Sequence, residues 1–120
     1  MKATELRIGN WVRVGDIEST VCLIDHNKFV QLQGNAVINR PEQIEPILLT
    51  PEILEKYGAK RTGNMALRKF WEIGNLTFEL CGDERIAIYF KDELLCFLEY
   101  LHQLQNLYFA LTGEELTINI

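Results

Sequence analysis

The sequence lacks most of what announces chemistry. It holds only two histidines and three cysteines. The cysteines, Cys22, Cys81 and Cys96, are odd in number and none falls in a Cys-x-x-Cys pair, which excludes a self-contained disulfide framework and the usual zinc spacing. Each lies in an apolar or strand-like run, so all three are expected as reduced packing residues. There is no phosphate-binding glycine loop, no His-Glu-x-x-His and no nucleophile elbow. His26 follows Asp25 in a turn with Cys22 four residues earlier, but a strand running into a turn does not converge these side chains, and a solvated histidine is the expectation. The acid pairs Asp83-Glu84 and Asp92-Glu93 also sit at turns, where exposed carboxylates are expected rather than a general acid and base. No cofactor, metal or catalytic residue is therefore assigned, and the chain is expected not to be an enzyme.

Two further scarcities bound the setting. No apolar run is longer than the five residues Leu94 to Leu98, far too short to span a bilayer, and the opening Met-Lys-Ala-Thr-Glu-Leu-Arg has no apolar signal core. A cytoplasmic location without membrane contact is expected. Basic residues are in the minority, 12 against 17 acids, and the net charge of −5 opposes a general attraction to phosphate backbones. What is abundant is apolar side chain, 48% of the 120 residues, enough for the core of one domain or two small lobes.

The first half reads as short strands cut by turn dipeptides. Glu5 to Ile8, Trp11 to Val14, Ser19 to Asp25, Phe29 to Gln33, Ala36 to Asn39 and Ile44 to Leu49 are separated by Gly9-Asn10, Gly15-Asp16, His26-Asn27-Lys28, Gly34-Asn35 and the Arg40 to Gln43 turn. Short strands at such close spacing predict a small curled antiparallel sheet of SH3-like barrel type over residues 1–49. Thr50 as cap, Pro51 at the first helical position and Glu52 at the positive end of the dipole then open a short helix that Gly58 closes.

Residues 50–120 read as a second, α+β lobe sharing a core with the first. Met65 to Ile73, Leu76 to Cys81 and Arg85 to Phe90 predict an antiparallel meander, since Leu76, Phe78 and Leu80 alternate with Thr77 and Glu79. Residues 94–99 fit a fourth strand or a backward extension of the last helix, and a strand is preferred. The Tyr100 to Thr112 helix, stopped by Gly113, is expected to pack on this sheet through Leu101, Leu104, Leu107, Tyr108 and Leu111. Leu116, Ile118 and Ile120 alternate as an edge strand would.

Two surfaces stand out. From Tyr100 to Gly113 no residue carries a formal charge, although the face holding His102, Gln105, Asn106 and, one turn on, Phe109 is otherwise polar. Such a face either bonds to neighbouring loops and fixes the helix, or docks a protein partner or a second copy of the chain, because interface centres are depleted in charge and enriched in aromatics. The second surface is the acid-free stretch 56–69. There Lys56, Lys60, Arg61, Arg68 and Lys69 gather five of the twelve basic residues, with Trp71 just beyond, a combination that could hold a nucleic-acid backbone and stack a base. The bland account is a hairpin edge whose lysines discourage strand addition.

Three strings carry a resemblance. They are Glu5-Leu6-Arg7-Ile8-Gly9-Asn10-Trp11-Val12, then Ile44-Glu45-Pro46-Ile47-Leu48-Leu49-Thr50 with Leu54 and Gly58, and the closing Leu101-His102-Gln103-Leu104-Gln105-Asn106-Leu107-Tyr108-Phe109-Ala110-Leu111-Thr112-Gly113. Together they resemble a family of small proteins carried in Bacteroidetes genomes, often in prophage-like or conjugative regions, to which no activity is assigned. The chain departs from that pattern at Leu48, where a proline is expected, and at Ala59, where an aromatic is. The resemblance implies a setting, an accessory or interaction role in a mobile element, and no site. Joined to the residue-level reading, it makes the expected function non-enzymatic protein interaction, with local nucleic-acid binding as the alternative.

Overall fold

The computed structural model describes residues 5–34, 38–65, 68–80 and 85–116, apart from the side chains of 63–65, 68 and 69. The protein is α+β, with two five-stranded antiparallel sheets and two α-helices among the described residues. The chain forms two compact units. The first comprises Met1–Leu48 with Tyr100–Glu114, and the second Leu49–Glu99 with Glu115–Ile120.

In the first unit, β1 (Trp11–Val14), β2 (Ile17–Ile24), β3 (Val30–Leu32), β4 (Ile38–Asn39) and β5 (Glu45–Pro46) form a sheet of order β4-β3-β2-β1-β5. A single 3-10 turn, Pro41–Gln43, precedes β5. The alternation of short strands buries Leu6, Val12, Val21, Val30, Leu32 and Ile44 as one cluster, with Val14 and Ile24 packed against it. Residues 5–8, expected as a strand, form turns instead. Asn10 holds that shape, because its Oδ1 accepts from the Arg7 amide at 2.6 Å while its own amide donates to the Arg7 carbonyl at 3.1 Å.

The last helix, α2 (Leu101–Thr112), belongs to this first unit rather than to the C-terminal sheet on which it was expected to pack. Gly113 ends it in the left-handed conformation at φ 74°, with its amide bonded to the Phe109 carbonyl at 2.8 Å. The expected apolar stripe is only half buried: Leu101 and Leu104 are interior, Leu107 and Tyr108 are partly covered, and Leu111 is exposed. The buried side is completed by His102 and Gln105, each 2% exposed.

The second unit opens with α1 (Pro51–Lys56), where Thr50 Oγ1 accepts from the Ile53 amide at 3.3 Å. The strands β6 (Lys60–Met65), β7 (Arg68–Ile73), β8 (Leu76–Leu80), β9 (Ile86–Phe90) and β10 (Glu93–Leu98) follow as a meander of order β10-β9-β8-β7-β6. Residues 94–98 are thus strand. β6 had no apolar periodicity to announce it. The inner face is a cross-strand row, because Trp71 pairs with Phe78, Phe78 with Ile88 and Ile88 with Cys96. α1 lies against that row through a bond from Trp71 Nε1 to Glu55 Oε1 at 3.2 Å. Of the expected C-terminal edge strand over 116–120, Leu116 is buried and not in a strand, and 117–120 lie outside the described residues, as does Cys81.

Candidate docking surfaces

The uncharged face of α2 is used inside the first unit. Gln105 Oε1 accepts from the Trp11 amide at 2.8 Å, and its Nε2 donates to the Gly9 carbonyl at 3.1 Å. Asn106 Oδ1 accepts from Asn10 Nδ2 at 2.8 Å and from Arg7 Nε at 3.0 Å, while Asn106 Nδ2 donates to the Glu5 carbonyl at 3.1 Å. Arg7 Nη2 adds a bond to the Gln105 carbonyl at 3.3 Å. The absence of charge follows: these positions need an amide that donates and accepts at once, which a lysine or glutamate does not supply. Asn10, fully buried, and Arg7 belong to this network although no pattern in the sequence singles them out.

His102 is also interior. Its ring stacks on Tyr100 with centroids 6.0 Å apart, Nε2 lies 3.9 Å from Glu5 Oε2, and Nδ1 has no hydrogen-bond partner among the described residues. Burial lowers its pKa below the ordinary 6.5, with the Glu5 carboxylate pulling weakly the other way. Of the four residues expected as a partner face, His102 and Gln105 are buried, Asn106 is half-buried and Phe109 is exposed, with the Arg7 guanidinium over its ring at 4.4 Å.

The basic cluster divides in the same way. Lys56, Lys60 and Arg61 are exposed, whereas the side chains of Arg68 and Lys69 lie outside the described set. Trp71 is 3% exposed, faces α1, and has the Arg61 guanidinium 5.6 Å from its ring centroid. It shares the parity of Ile73 in β7, and that periodicity was the signal for its burial. The cluster therefore presents cations without the aromatic that was to stack a base. His26 is exposed, as a turn histidine should be.

A third surface emerges on the outer face of the second sheet. Registers put Phe70 beside Glu79, Thr77 beside Tyr89, Tyr89 beside Leu94, and Ala87 beside Phe97. Leu94, Leu95 and Phe97 on β10 are 51%, 43% and 46% exposed. A register shift between Leu94 and Cys96 makes Leu95 the extra residue of a bulge, which is how two successive leucines both reach the surface. The Arg85 guanidinium covers part of Phe97 at 4.9 Å from the ring centroid. The strand preferred for 94–99 is present as β10, but nothing in its apolar run marks which side stays exposed.

Among the described residues no group of three His, Cys, Asp or Glu side chains converges as metal ligands would, and no helix is long and apolar enough to cross a membrane. Fold and surfaces together define a two-unit α+β protein whose second sheet exposes Leu94, Leu95 and Phe97 on its edge strand. No protein-family model matches the chain, and neither a curated protein nor a solved structure does.

Proposed function

We propose that this is a non-enzymatic interaction protein, an accessory of a mobile element acting in the cytoplasm, which docks a protein partner on the outer face of its second sheet. The observation that carries the reading is the uncovered apolar strip Leu94, Leu95 and Phe97 on an edge strand. Three large apolar side chains side by side, next to Tyr89, make the contiguous kind of patch that marks interaction sites rather than the scattered singles of an ordinary surface. β10 also lacks the internal lysine or proline that protects many edge strands. The mobile-element setting rests on the likeness of the closing α2 string. The first unit is read as a small SH3-like barrel, which its strand order and the 3-10 turn before β5 support.

The test compares the native chain with a Leu94→Glu, Phe97→Glu double variant as bait in the host lysate, alongside light scattering of each. A partner retained in stoichiometric amount by the native chain and lost by the variant is the expected result. Equal retention by both removes the outer face from consideration. Recovery of nucleic acid that salt releases, abolished by Lys60→Glu with Arg61→Glu, moves the assignment to nucleic-acid binding.

A further inference from the structure

We draw no further inference here: the strongest candidate, the outward edge of β10 beside the exposed Leu94, Leu95 and Phe97, belongs to the docking surface already described, and nothing in the structure shows what covers it.

Discussion

Asn10 Nδ2 donates to Asn106 Oδ1 at 2.8 Å, joining a fully buried turn residue to a helix residue 96 positions later. That bond, with the Gln105 bonds to Gly9 and Trp11, makes α2 part of the first unit. Buried polar networks stabilise only when complete, because each orphaned group carries its full desolvation cost.

Asn106→Ala should therefore cost more than an ordinary surface change. It removes the acceptor of Asn10 Nδ2 and Arg7 Nε and the donor to the Glu5 carbonyl. A loss of about 2–3 kcal/mol is expected, read by urea denaturation with a probe in the first unit. A loss below about 0.5 kcal/mol would place the network among surface contacts.

Tyr57 gives a prediction of opposite sign. It is buried, its hydroxyl has no hydrogen-bond partner among the described residues, and burial pushes its pKa up to about 12. Tyr57→Phe removes an unsatisfied hydroxyl while keeping the ring, so the variant should be as stable as the native chain or up to about 1 kcal/mol more stable. Thermal melting decides it, and a clear fall in the midpoint would reveal a partner for the hydroxyl.

His102 makes the first unit sensitive to acid. Burial lowers its folded-state pKa below the ordinary 6.5, so the unfolded chain binds the proton more readily. The stability it permits is fully present above pH 6.5 and declines as pH falls through that value toward the folded pKa. For one proton the slope is at most about 1.4 kcal/mol per pH unit. Denaturation midpoints measured from pH 7.5 down to 5 should fall in the native chain and fall less in His102→Gln; equal slopes would assign the acid sensitivity to other groups.

Trp71→Phe separates packing from base stacking. The indole is buried and bonded to Glu55, so its replacement should destabilise the second unit by about 1–2 kcal/mol. Any affinity for single-stranded DNA should stay unchanged. A stacking tryptophan would instead lose about 1–3 kcal/mol of binding per base.

Local features read from the sequence hold in the structure where they depend on neighbouring residues. Thr50 caps α1, Gly113 ends α2, and the alternation of Leu76, Phe78 and Leu80 lies within β8. Burial of Trp71 was also available from its parity with Ile73. Residues 5–8 differ from the expected strand because the Asn10 side chain, not apolar periodicity, sets their backbone. β6 is held by pairing with β7 and has no pattern of its own.

The tertiary structure alone decided where α2 belongs and what its polar face does. Helical periodicity identifies which residues share a face but not what that face meets. The partners of Gln105 and Asn106 are backbone groups, an asparagine and an arginine 94 to 101 residues away, and backbone groups leave no trace in side-chain pattern. The outer side of the second sheet is the complementary case. Its residues are spelled out in the strands, but only the registers of four paired strands bring Phe70, Thr77, Tyr89 and Leu94 onto one face, and only the folded chain leaves Leu94 and Phe97 exposed there.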